Sequence, residues 1–245
     1  MTGQIVVASH SGDLVSRIPI VALRRIYKRN GETKIGQVQE GSFSNRELQA
    51  IDYSIRLTKG HYLFSRCWLL VEGETEFHLM PLLFDMMGYS QDQVSFSVLE
   101  ISQVFGESEP FMKLANALGI PWLLMADGDS AGNKYVRRAT QHIQAGIAEV
   151  QVLTYKNIEF EFWHNGFKDF IENSVPPKRK AKINLENISN QIEETASLIK
   201  AAIRNKGGKP AFAQVLADEI RRRGENAIPQ SLQDIITRVI QLAKN

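Results

Sequence analysis

One cysteine in 245 residues, Cys67, is too few for a disulfide framework or a cysteine-based zinc site, and a reducing, cytoplasmic setting suits it. No stretch of about 18 apolar residues occurs, and the N-terminus lacks the layout of a signal peptide, so no membrane role is expected. Also missing is any Gly-x-x-x-x-Gly-Lys-Ser/Thr phosphate loop, so the chain alone is not expected to hydrolyse ATP. A fourth absence is the most informative. Between Arg66 and Lys113 there is no lysine or arginine, yet eight acidic residues fall in that interval.

Three of those acids stand in Val71-Glu72-Gly73-Glu74-Thr75-Glu76, directly after the apolar run Cys67-Trp68-Leu69-Leu70. A second apolar run, Pro121-Trp122-Leu123-Leu124-Met125-Ala126, ends in Asp127-Gly128-Asp129. Hydrophobic strands that each end in paired carboxylates suggest a site for a hard divalent cation, because like charges brought together repel unless something positive sits among them. Mg²⁺ takes oxygen ligands at about 2.0–2.1 Å and usually needs only one or two carboxylates. Four or five carboxylates therefore suit two ions about 3.5–4 Å apart. Glu72, Glu76, Asp127 and Asp129 are the candidate ligands, with Glu72 also placed at the reacting centre. Gly73 and Gly128 are expected to keep the intervening positions open. The plainer reading of each motif alone is a helix cap for Glu74 and Glu76 and a turn for Asp127-Gly128-Asp129.

Around these motifs, apolar and β-branched runs predict strands at 67–72, 94–101, 121–126 and 149–153, alternating with helices at 75–88, 109–119 and 131–146. Such alternation argues for an α/β fold with a mostly parallel sheet flanked by helices, whose ligands bind beyond the carboxyl ends of the strands. Pro81 lies inside the first of these helices, which is retained because Phe77, Met80, Phe84 and Met87 share a face. Upstream, a strand is expected at Gln4–Ala8, then a short helix over Leu14–Ile18 capped within Ser9–Asp13. Two β-type runs, Ile20–Lys28 and Thr33–Gln39, surround an Asn30-Gly31 hairpin signal. Ser44 and Glu47 form a capping box for a helix over 44–62, with Leu48, Ile51 and Ile55 on an apolar face that would serve a homodimer. Downstream, Pro176-Pro177 and a basic linker precede helices at about 187–205, 210–223 and 231–243.

The charge is unevenly spread. Residues 178–224 hold eleven lysines and arginines against five acids, and Arg24, Arg25, Lys28 and Arg29 make the first forty residues basic. An acidic centre flanked by basic segments suits a phosphodiester substrate such as DNA. Solvated helix faces are the alternative.

Glu72-Gly73-x-x-Glu76, a helix, and Asp127-x-Asp129 after a later strand resemble a Toprim domain, shared by topoisomerases, bacterial primases and certain nucleases. The version Leu69-Leu70-Val71-Glu72-Gly73-Glu74-Thr75-Glu76 resembles most the OLD (overcoming lysogenization defect) nucleases. Residues 4–13 are similar to the last strand and switch histidine, here His10, of the ABC-type ATPase that precedes the Toprim domain in that family. Asn157-Ile158-Glu159-Phe160-Glu161-Phe162-Trp163 resembles the family's glutamate segment, and Gly208-Lys209-Pro210-Ala211-Phe212-Ala213 its lysine-bearing segment.

The resemblance implies four regions: the end of an ATPase domain at 1–40, a connecting helix at 41–66, a Toprim catalytic domain at 67–156, and a C-terminal helical subdomain at 157–245. It implies Mg²⁺- or Mn²⁺-dependent hydrolysis of DNA by a two-metal mechanism, with ATP used only by a full-length protein carrying the rest of the ATPase. Glu159 is then a fifth metal ligand, Glu161 its competitor on the same side if the segment is extended, and Lys209 a catalytic cation on the phosphate. Two other readings stay open at this point. One is a Toprim primase or topoisomerase, although no tyrosine, Tyr135 included, stands out as its nucleophile. The other is a non-catalytic DNA-binding module coupled to an ATPase.

Overall fold

The computed structural model describes residue 3 and residues 5–101, 108–185 and 190–244. A one-turn helix α1 (Gly12–Val15) leads to the hairpin β1 (Arg24–Arg29) and β2 (Glu32–Gln37), and then to α2 (Asn45–Thr58). The central region follows as β3 (Cys67–Val71), α3 (Glu74–Met86), α4 (Gln91–Val94), β4 (Phe96–Glu100), α5 (Glu109–Leu118), β5 (Trp122–Ala126), α6 (Gly132–Thr140) and β6 (Ala148–Val152). The rest is helical: α7 (Ile158–Phe162), a distorted turn at Trp163–Phe167, α8 (Lys168–Asn173), α9 (Pro177–Leu185), α10 (Gln191–Asn205), α11 (Lys209–Arg223) and α12 (Gln230–Lys244).

The two apolar runs lie side by side at the centre of a four-stranded sheet ordered β4-β3-β5-β6, with all neighbours parallel. Every residue of β3 and β5 is buried, as a parallel sheet covered on both faces requires. Alternate side chains divide between two cores. Cys67, Leu69, Val71, Leu123 and Met125 join Leu79, Met80, Leu83 and Phe84 of α3 together with α10, α11 and α12. Trp68, Leu70, Trp122 and Leu124 pack instead with Ile51 and Ile55 of α2 and with α5. The C-terminal helices therefore share a core with the sheet.

Both ends of the Asn30-Gly31 turn have positive φ, 53° and 80°, as a two-residue hairpin demands. That hairpin is anchored through its arginines. Arg25 donates to the carbonyls of Leu118, Gly119 and Ser65, and Arg29 donates to that of Gly119, so both neutralise the C-terminus of α5. Burial lowers the Arg25 guanidinium to about 10. These cations are spent on the fold and are not free to hold a phosphodiester backbone.

Other expectations need correction. Ile5–Ala8 form no strand: they have no sheet partner among the described residues and lie exposed, Ile5 at 87%, while Gln4 is outside the described residues. His10 does not cap α1, since Ser11 accepts the N–H of Leu14; His10 lies against Phe64. The first predicted strand of the hairpin opens as a 3-10 turn at Ile20–Ala22. The helix predicted to 62 stops at Thr58, where Lys59 and Gly60 turn left-handed. Its apolar face, Ile51 and Ile55, is consumed by the chain's own core, leaving Tyr53 and Leu57 outside. On α3 the buried face is Leu79, Met80, Leu83 and Phe84, with Phe77 exposed and Met87 partly buried. Residue 94 belongs to α4 and not to the strand that follows it. The sequence after Pro176 is a helix, α9, with Pro177 at its first position, where a missing N–H costs nothing. Of the helix expected from 187, residues 187–189 fall outside the described residues and α10 starts at Gln191.

Arg25→Ala removes a charged donor from three carbonyls. It is expected to lower unfolding stability in urea by about 3 kcal/mol, with no change in divalent-cation binding at the sheet's far end, followed by calorimetry.

Candidate metal centre

Register builds the site. Val71 stands opposite Met125, so the residues leaving β3 and β5 emerge level with one another at the carboxyl edge of the sheet. Glu72 fixes this alignment by accepting the backbone N–H of Asp127 on Oε1 at 2.9 Å. Gly73 is the N-cap of α3 and has no side chain for a physical reason. A Cβ there would lie 2.5 Å from Glu76 Oε2 and 3.5 Å from Lys209 Nζ. The same figures place the Lys209 ammonium, from the start of α11, beside the Glu76 carboxylate. Glu76 itself is 3% exposed, and its Oε2 is a buried oxygen with no hydrogen-bond partner.

Glu159 joins this group and Glu161 does not. The segment 158–162 is helical, not extended, so residues two apart point to different sides. Both are buried. Glu159 Oε1 accepts the hydroxyl of Thr75 at 2.6 Å, which ties it to α3 beside Glu76. Glu161 accepts the N–H of Tyr155 on one oxygen and the hydroxyl of Ser231 on the other, both at 2.9 Å. It locks α7 to the 153–157 segment and to α12, and has no oxygen left for an ion.

Asp129 is divided between two roles. Its Oδ1 accepts the N–H groups of Ala131 and Gly132 and so opens α6, as the plain turn reading would have it; Oδ2 remains. Gly128 is required for a different reason from the one expected. A Cβ there would strike the carbonyls of Tyr155 and Leu153, whose segment passes directly over it.

The electrostatics follow from burial. Desolvation raises Glu72 to about 7, with the Asp129 charge adding to it. Asp127 is raised to about 9, by desolvation first and then by Glu76, Glu72, Glu159 and Asp129. Glu76 is also raised, by desolvation and then by Glu159, while Lys209 opposes the shift. Five carboxylates that perturb one another line the carboxyl edge of the sheet, with the Lys209 ammonium nearby. Among the described residues no three His, Cys, Asp or Glu side chains are placed so that they could together hold a metal ion. The donor set suits a hard divalent ion: all oxygen, several charges, and a buried Glu76 oxygen with no hydrogen-bond partner.

Two contributors were not singled out from sequence. Thr75 is buried and orients Glu159; its signal was a small polar residue on the inward side of the motif's helix turn. Tyr135 on α6 lies close enough to Glu72 for that carboxylate, after burial, to raise its phenol. Of the histidines, His78 is exposed and His164 stacks on Tyr155 at 4.2 Å. Trp163 is 8% exposed and packs, with Lys168 over its ring.

Residues 63–129 match the family described as Overcoming lysogenization defect protein-like, TOPRIM domain. The chain carries an OLD-like Toprim domain. Both acidic motifs fall inside that match. Over 98% of its length the chain is 28% identical to a protein of Escherichia coli (strain K12) named Uncharacterized protein YbjD, and it spans 42% of that protein. Among solved structures, the C-terminal region of the Xanthomonas campestris pv. campestris OLD protein is similar, at 20% identity and a TM-score of 0.52, over 74% of this chain and 95% of that one. The C-terminal region of the Burkholderia pseudomallei OLD protein is similar at 19% identity and a TM-score of 0.52, over 74% and 99%. At such identities these structures speak for the fold: a parallel Toprim sheet flanked by helices. No helix among the described residues is long and apolar enough to cross a membrane.

The two neighbouring glutamates of α7 respond differently to change. Glu161→Ala leaves the Tyr155 N–H and the Ser231 hydroxyl without their acceptor, and is expected to cost about 1–3 kcal/mol in chemical denaturation. Glu159→Gln should leave stability nearly intact. Carboxyls whose pKa is raised on folding hold protons more tightly in the folded chain. Their cost is absent below the usual carboxylate range and grows as pH climbs through about 7 for Glu72 and about 9 for Asp127. With chelator present, Tm should therefore fall from pH 5 to pH 9, and added Mg²⁺ should raise it most at the alkaline end. A Tm independent of both would contradict the cluster's electrostatics.

Proposed function

We propose that this chain hydrolyses phosphodiester bonds in DNA with the help of divalent cations, Mg²⁺ or Mn²⁺, two of them being bound. The observation that carries this reading is the mutually repelling set of buried Glu76 and Glu159 and half-buried Glu72, Asp127 and Asp129 at the aligned ends of the two central strands. Bound ions would polarise the phosphate and lower the pKa of an attacking water.

The chain's own residues have separable tasks. Glu72 ties the two strand ends together through the Asp127 N–H and keeps one oxygen for a ligand. Glu76 and Glu159 supply the least hydrated oxygens, so a cation relieves most strain there. Thr75 holds Glu159 in place, and Asp129 offers Oδ2 while Oδ1 anchors α6. Lys209, exposed at the start of α11, brings a fixed positive charge to the position a phosphate would occupy. The likeness to OLD proteins supports a nuclease in general. ATP would enter only through a longer protein, since no phosphate loop is present here. A cytoplasmic location suits the buried free thiol of Cys67.

A topoisomerase reading is less favoured. It needs a tyrosine nucleophile, and Tyr135, the phenol beside Glu72, is pushed further from its ionised form by burial and by that carboxylate.

Supercoiled plasmid incubated with the chain and Mg²⁺ or Mn²⁺ should be nicked and then degraded, and EDTA should stop the reaction. Asp127→Ala and Glu76→Ala are each expected to abolish cleavage by about a hundredfold or more while the fold persists. Undiminished cleavage by both would remove the metal assignment, and relaxation to topoisomers without nicking would replace the hydrolase. Lys209→Ala should lower kcat by about a hundredfold and change DNA affinity little.

A further inference from the structure

The basic residues of the C-terminal half are not equivalent. Arg221 pairs with Asp218, Arg222 and Arg223 share Glu219, and Lys180 pairs with Glu172. Lys209 belongs to the carboxylate centre. Two further cations, Lys200 and Arg204, line a groove of about 430 Å³ between α9 and α10, together with Arg179, Ser197 and Asn205. Lys200 and Arg204 are four apart on α10 and so share a face, both exposed; Arg179 lines the α9 side. Among the described residues no acidic one lines this groove. Cations collected in a concavity repel one another and focus a positive potential there, and an anion relieves both effects.

We propose that this groove holds the phosphodiester backbone of a nucleic acid a few nucleotides away from the carboxylate centre. The inference rests on the hydrolase reading and extends it to where the strand runs. Arg204 and Lys209 are five residues apart, so their backbones are separated by at most about 17 Å. One strand advances about 3.4 Å per nucleotide, which puts the groove within about five nucleotides of the reacting phosphate, plus side-chain reach. The remaining lining, Pro176 and Ala201, contains no aromatic ring. Bases therefore have nothing to stack on, and the groove grips backbone without reading sequence.

The test is fluorescence anisotropy on the 245-residue chain with labelled DNA of about 20 base pairs, in EDTA, across a KCl series. Binding is then measured with no metal and no cleavage. The double variant Lys200→Ala/Arg204→Ala is expected to bind about tenfold more weakly near 100 mM KCl. Its slope of log K against log salt should flatten by about 1.8, two phosphate contacts' worth. Lys200→Glu should weaken binding further, while Arg221→Ala, a cation already paired, should match the wild type. Unchanged affinity and slope in the double variant, with an unchanged unfolding midpoint, would overturn the groove. Displacement of DNA by poly-glutamate at equal concentration would assign it to acidic protein instead. A wild-type chain that binds DNA through Lys200 and Arg204 yet never cleaves would fault the hydrolase reading alone.

Discussion

The constraint on which this structure turns is the parallel pairing of β3 with β5 in a register that sets Val71 against Met125. Everything acidic at the sheet's edge is placed by it. Two fully buried strands cannot slide without exposing apolar surface on both faces, so the carboxylates that follow them are forced into proximity despite their repulsion. The hydrogen bond from the Asp127 N–H to Glu72 adds a local clasp to that global constraint. The cost is visible in the raised pKa values of Glu72 and Asp127. A bound cation would turn the same crowding into affinity.

The helices added after the sheet do more than cover it. α7 carries Glu159 to the edge of α3, α11 begins with the lysine that reaches Gly73, and α12 braces α7 through Ser231 and the sheet through an ion pair between Arg238 and Glu149. Their shared core with β3 and β5 makes the placement of these side chains a matter of packing as well as of loop conformation. Positive charge is sorted in the same way. Arg25 and Arg29 close off α5, Arg221 to Arg223 are taken up by Asp218 and Glu219, and Lys200 and Arg204 line a groove on α10. Counts of basic residues along the chain cannot make that distinction.

Much of the architecture was legible in the residues. The strands at Cys67–Val71 and Trp122–Ala126 and the capping box at Ser44 and Glu47 are local patterns with local causes, and they stand where periodicity put them. Misreadings arose where a partner outside the segment decided the outcome. Ile5–Ala8 has strand composition but no neighbouring strand among the described residues, and α3 turns Leu79 and Leu83 inward because that is where α11 and α12 lie.

The sequence by itself determined that two apolar strands end in carboxylates, because burial and turn formation depend on side-chain types within a few residues. Only the tertiary structure decided which carboxylates meet. Glu159 and Glu161 are alike in composition and neighbourhood, yet helical phase and two distant donors, Tyr155 N–H and Ser231, give one to the cluster and the other to the scaffold. Coulomb energies and hydrogen bonds act through space over a few ångströms, and the distances that set them arise only when remote segments of the chain pack together.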